Sequence, residues 1–80
     1  MTSEVPRDPG HYFPTEHAVL RRRRRGIDWE QVSDAIRDGR LHNQGENETC
    51  VFTYLTDEAL LYVSANHESG AITTVAWYDE

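Results

Sequence analysis

Apolar positions change their period once along the chain, and the change separates a helical half from a stranded half. Between residues 15 and 39 they recur at helical spacing, whereas from residue 49 onward β-branched and aromatic residues gather in short runs divided by polar turns. Thr15 follows Pro14 and is placed to cap a helix, Glu16 suits its first turn, and Gly26 can close it in a left-handed conformation. At about 100° per residue His17, Leu20, Arg21 and Arg24 share one side of this helix, with Ala18 and Arg25 flanking it. An apolar stripe is nearly missing, so neighbours or salt bridges are expected to hold it.

A second helix is better specified. Asp28 caps it, Gln31 stands three residues on as in a capping box, and Gly39 ends it. Trp29, Val32, Ala35 and Ile36 form one face, with Trp29 expected as a packing anchor, against Glu30, Asp34, Arg37 and Asp38. Residues 40–44 are a weak strand candidate and 45–48 a polar turn. Three stronger strands are expected at 49–55, 60–65 and 72–78, with hairpin chemistry at 56–58 and 66–70.

This order implies an α+β fold, with two short helices packed on a three- to four-stranded antiparallel sheet. Two registers are open. One turns Val51, Leu55, Leu61, Val63 and Ile72 toward the helices, and the other Phe52, Tyr54, Leu60, Tyr62, Val75 and Trp77. Apolar residues on both faces make a homodimer through the second face or an edge strand a further expectation. Residues 1–14 hold all three prolines and are expected as an irregular arm anchored only by Phe13, the alternative being that His11, Tyr12 and Phe13 lay an aromatic edge on the domain or add a short strand; 15–80 is then the single domain.

Composition sharpens this picture. The 80 residues contain fourteen acidic side chains and eight basic ones, all of them arginine, for a formal charge of −6. Five of those arginines are consecutive, Arg21, Arg22, Arg23, Arg24 and Arg25, and the rest of the chain carries −11. A lysine-free acidic surface keeps a protein hydrated at high salt, and a halophilic, haloarchaeal origin is the expectation; the alternative is an ordinary acidic protein from a genome rich in G and C, which also favours arginine over lysine. The one cysteine, Cys50, rules out a disulfide within the chain. No apolar run approaches the ~20 residues of a membrane span, and the N-terminus lacks a signal pattern, so a cytoplasmic location away from membranes is expected.

The string His17-Ala18-x-x-Arg21-x-x-x-Arg25-Gly26-Ile27, followed by a second helix and strands ending in Thr74-Val75, resembles the small prokaryotic proteins called domain of unknown function 4258. These are similar in plan to the RelE and BrnT toxins of toxin–antitoxin systems, which set two helices before a curled antiparallel sheet and cleave messenger RNA. What the resemblance implies is a toxin-like endoribonuclease; a separate reading of the residues is an antitoxin-like or structural dimeric subunit whose exposed sheet face pairs with another chain.

RNA cleavage needs a base for the 2′-hydroxyl, an acid for the leaving oxygen and cations for the developing phosphorane. His17 is the best acid or base, one turn from Arg21, and Arg21, Arg24 and Arg25 suit bidentate contact with phosphate. His67 and Tyr78 would complete such a site if the fold brings them near. The plainer alternative makes His17 and Arg21 interior partners of Glu16, Asp28 or the sheet. His11, His17, His42 and His67 follow no metal spacing, so neither metal nor cofactor is expected. No basic residue follows Arg40. The leading expectation is therefore a non-enzymatic interaction or regulatory module whose arginines 21–25 contact RNA or a cognate protein partner.

Overall fold

The computed structural model describes residues 5–42 and 48–77. In chain order it has a 3-10 turn at Pro9–His11, strand β1 (Phe13–Pro14), helices α1 (Glu16–Arg25) and α2 (Trp29–Asp38), and strands β2 (Arg40–His42), β3 (Thr49–Leu55), β4 (Leu60–Asn66) and β5 (Ala71–Trp77). The α+β class stands. The sheet, however, has five strands in the order β1-β5-β4-β3-β2, and its β1–β5 pair is parallel, so the expected three- to four-stranded antiparallel sheet is corrected.

The extra strand comes from the N-terminal arm. Phe13 N–H donates to the Gly70 carbonyl at 2.8 Å, and Thr15 N–H donates to that of Ile72 at 3.1 Å. Gly70 has φ +87°, and a Cβ there would collide with the His11 carbonyl oxygen, so glycine alone allows this approach. Anchoring by Phe13 is also corrected. Phe13 is half exposed, whereas Val5 and Tyr12 are buried in the core. Asp8 caps the 3-10 turn by accepting from the Gly10 N–H at 3.1 Å, which directs Tyr12 inward. Arg7 lies 5.5 Å from the centre of the Phe52 ring, and its guanidinium donates to the carbonyls of Ile36 and Gly39. The arm thus straps the end of α2 to the sheet.

Tyr12 stands edge-on to Phe52, with ring centres 5.8 Å apart, and donates its hydroxyl to the Pro6 carbonyl at 2.7 Å. Burial, reinforced by the neighbouring Cys50, pushes its phenol well above the usual tyrosine range. A folded-state value raised above the unfolded value of about 10 stabilises the fold fully below that pH, and the contribution is lost as pH rises beyond it. Alkaline titration followed by phenolate absorbance and circular dichroism together should therefore show Tyr12 ionising only as ellipticity is lost. Ionisation of all four tyrosines ahead of unfolding would contradict this.

Neither expected register is adopted whole. Cys50 and Phe52 of β3, Leu61, Val63 and Ala65 of β4, and both Ile72 and Val75 of β5 are buried in the core cluster. Ile72 and Val75 can share a face because Ser64 pairs with Thr74 while Ala65 pairs with Ile72, leaving Thr73 as an extra residue. This β-bulge reverses the alternation along β5. On α2, Val32, Ala35 and Ile36 are buried, but Trp29 is 37% exposed and does not anchor the helix. Ile27, in the link between the helices, is fully buried and takes that place. The capping box of Asp28 and Gln31 is present. The expected strand end and turn over 43–47, and Tyr78, lie outside the described residues.

Candidate functional site, an arginine-faced helix

Helix α1 runs beside β5. Thr15 caps it by accepting from the Ala18 N–H at 3.3 Å, and the same hydroxyl donates to the Ile72 carbonyl at 2.8 Å. At the other end Gly26 adopts φ +66°, with its N–H directed at the carbonyls of Arg22 and Arg23. Ala18 is the helix's one buried residue. Arg22 and Arg25 lie four and seven residues further on, the spacing of one helical face. Arg22 donates to the Ile27 carbonyl at 2.9 Å, and Arg25 to that of Val75 at 3.4 Å. The Trp77 indole in turn donates to the Arg25 carbonyl at 3.0 Å.

Hydrogen bonds from arginine to backbone carbonyls thus hold a helix that has almost no apolar stripe. Helix α1 itself packs along β5, where the two-residue β1 leaves much of the strand unpaired, and Arg25 takes up the Val75 carbonyl, which protects a sheet edge from other strands. The alternatives of carboxylate salt bridges, or of His17 and Arg21 as interior ties, are corrected. His17 is exposed and Arg21 half-buried, and neither forms a hydrogen bond or ion pair among the described residues.

The pentad is therefore divided. Arg22 and Arg25 reach inward, while Arg21, Arg24 and the flank of Arg25 line one shallow depression in the surface. Arg23 and Arg24 are exposed. Among the described residues the ion pairs are those of Arg37 with Asp34 and Asp38 on α2, and none involves the pentad. Five like charges within ten residues of helix repel one another, each i,i+3 or i,i+4 pair costing a few tenths of a kcal/mol. An external anion would relieve that repulsion.

The other expected site residues do not gather around these cations. His67 lies in the turn before β5, at the Thr15 end of α1, where its backbone carbonyl is 2.8 Å from the His11 Nε2. The arginines sit at the opposite end, against Val75 and Trp77. Cys50 is buried, and that burial raises its thiol above the usual range, which keeps it protonated and disfavours a nucleophile.

One feature was missed in the sequence. Arg40 and His42 flank the half-buried Leu41 and so share the sheet face turned away from the helices, where the His42 Nε2 is 2.9 Å from the Thr53 hydroxyl. Their alternation around Leu41 was the available signal. Fold and site together define a small two-layer α+β protein with an arginine-faced helix on the flank of its sheet. No family model, no curated protein and no solved structure matches the chain. No helix among the described residues is long and apolar enough to cross a membrane.

Proposed function

We propose that this chain is a small interaction module that uses the outward side of α1 to bind clustered phosphates, with single-stranded RNA as its partner. The observation carrying the reading is that Arg21 and Arg24 share a surface depression while no carboxylate among the described residues neutralises them. Guanidinium groups grip phosphate through paired hydrogen bonds at contact range, which endure salt better than long-range attraction does. The acidic body opposes loose, nonspecific attachment of a polyanion, so binding depends on this one surface.

Binding of a labelled single-stranded RNA and of an acidic peptide, by the intact chain and by Arg21→Gln/Arg24→Gln, tests the proposal. Loss of two charge-assisted contacts is expected to weaken RNA binding by at least about tenfold. Arg37→Gln, whose guanidinium is engaged by Asp34 and Asp38, should leave it unchanged. Tight binding of the peptide alone would make the partner a protein.

A second reading keeps the resemblance to domain of unknown function 4258 and the toxin-like endoribonuclease it implies. It is favoured by the position of exposed His17 one turn before Arg21 and two before Arg24. Cleavage of RNA that disappears in His17→Ala would support it, and equal cleavage by both chains would remove His17 from the mechanism. The proposed halophilic origin predicts folding that strengthens with KCl concentration; full folding in low salt would count against it.

A further inference from the structure

Where α2 gives way to β2, the sheet is left with a notch. Pairing between β2 and β3 begins only at Arg40 with Thr53, so Tyr54 and Leu55 have no β2 residue beside them. The notch opens onto the sheet face turned away from the helices, where Arg40, Thr53 and Tyr62 form one row across three strands. Leu55 pairs with Leu60 two residues along β3, about 7 Å at the rise of a strand. These residues line one depression of about 680 Å³, a size ordinary for a small-ligand site.

Polar and apolar groups are sorted within it. Leu55, which is 76% exposed, joins half-buried Leu60 and Tyr62 in an apolar wall. Arg40 is exposed and takes part in no hydrogen bond or ion pair among the described residues. Its neighbour Thr53 has its hydroxyl 2.9 Å from the His42 Nε2. With the proton on Nε2 the imidazole donates to that hydroxyl, whose own proton is left for a further acceptor. Arg40 and Thr53 therefore stand side by side as donors. Asp38 lines the same rim, where Arg37 engages it, so a ligand carrying more than one negative charge would meet a carboxylate.

We infer that this depression binds a small aryl carboxylate. The carboxylate group lies on the Arg40 guanidinium and the Thr53 hydroxyl, and the ring lies against Leu55, Leu60 and Tyr62. Guanidinium meets carboxylate through two parallel hydrogen bonds, and an aromatic ring packs well on apolar and aromatic side chains. The site belongs to β2, β3 and β4, apart from the depression of the α1 arginines, and does not rest on the RNA reading.

Isothermal titration calorimetry of the full chain with phenylacetate, its uncharged amide phenylacetamide, and adenosine monophosphate is the test. The wild type is expected to bind phenylacetate at least about tenfold more tightly than either of the others. Arg40→Gln should weaken phenylacetate by about tenfold or more, and Leu55→Ala and the isosteric Thr53→Val should weaken it as well. Circular dichroism should be unchanged in Arg40→Gln and Leu55→Ala, whose wild-type side chains are exposed. Arg21→Gln/Arg24→Gln should bind phenylacetate as the wild type does, and Arg40→Gln should keep its RNA affinity, so failure here is separable from failure of the RNA reading.

No phenylacetate binding at millimolar concentration, an amide as tight as the acid, or an Arg40→Gln variant equal to the wild type would overturn the inference. Tighter binding of adenosine monophosphate would make the face a nucleotide platform instead. A wild type that sediments as a dimer and becomes monomeric in Leu55→Asp would make a second copy the occupant, and that too would overturn it.

Discussion

Phe52→Ala is expected to leave the chain largely unfolded under conditions where the wild type is stable. Phe52 is fully buried at the centre of β3, touches Tyr12 edge-on and has the Arg7 guanidinium over its ring. Removing it opens a large cavity and unseats the arm that packs on it, at a cost of about 3–5 kcal/mol. A chain of this length has roughly 4–12 kcal/mol of stability in total, so that loss is a large share. Urea titration followed by tryptophan fluorescence measures it directly. A midpoint within experimental error of the wild type would mean that the arm and the ring do not pack as described.

The second large effect is expected at Gly70. Alanine there must adopt φ +87° and place its Cβ against the His11 carbonyl. Left-handed strain costs of order 1–3 kcal/mol, and displacing β1 sacrifices part of the burial of Tyr12 as well. We expect a total of about 3 kcal/mol, or roughly 12–24 °C in Tm for a domain of this size. Gly70→Asn separates the two causes, because asparagine tolerates positive φ but still carries a Cβ. It should be nearly as damaging as alanine, and a wild-type Tm for either variant would contradict the close approach of β1 to β5.

Both positions hold the N-terminal arm, Phe52 through Tyr12 and Gly70 through His11, and the arm is the part of the fold that the sequence conveyed least. The helices were legible from their ends, since Thr15, Gly26, Asp28 and Gln31 each do the local job their chemistry suggests. Strands β3, β4 and β5 were legible from β-branched and aromatic runs, to within a residue at the ends described. The two-residue β1 was legible only as an alternative for His11, Tyr12 and Phe13, because Phe13–Pro14 is too short to show alternation and its pairing with Ala71 and Ile72 is entirely nonlocal.

Which sheet face is buried was likewise hidden. Counting by twos assumes unbroken alternation, and the extra Thr73 places Ile72 and Val75 on one side. Trp29 misled for another reason. Its position on the apolar face of α2 is right, but at the first turn it overhangs the end of the core that Ile27 already fills.

For the candidate site, the run of arginines was plain and its division was not. The line Ala18, Arg22, Arg25 defines the inward face, yet two of its members are charged, and a hydrophobic pattern cannot count them. Only the backbone carbonyls of Ile27 and Val75, brought close by the fold, give them an interior role. Arg21 and Arg24 are left outward by geometry rather than by composition.

Salt dependence of RNA binding tests that assignment most directly. Each phosphate that an arginine neutralises on a single strand releases condensed counterion and changes the slope of log K against log salt by about 0.7. If Arg21 and Arg24 each hold one phosphate, Arg21→Gln/Arg24→Gln should make the slope shallower by about 1.4 and lower the affinity, with the unfolding midpoint preserved. Identical slopes and affinities for the two chains, or no RNA binding by the intact one, would contradict the account.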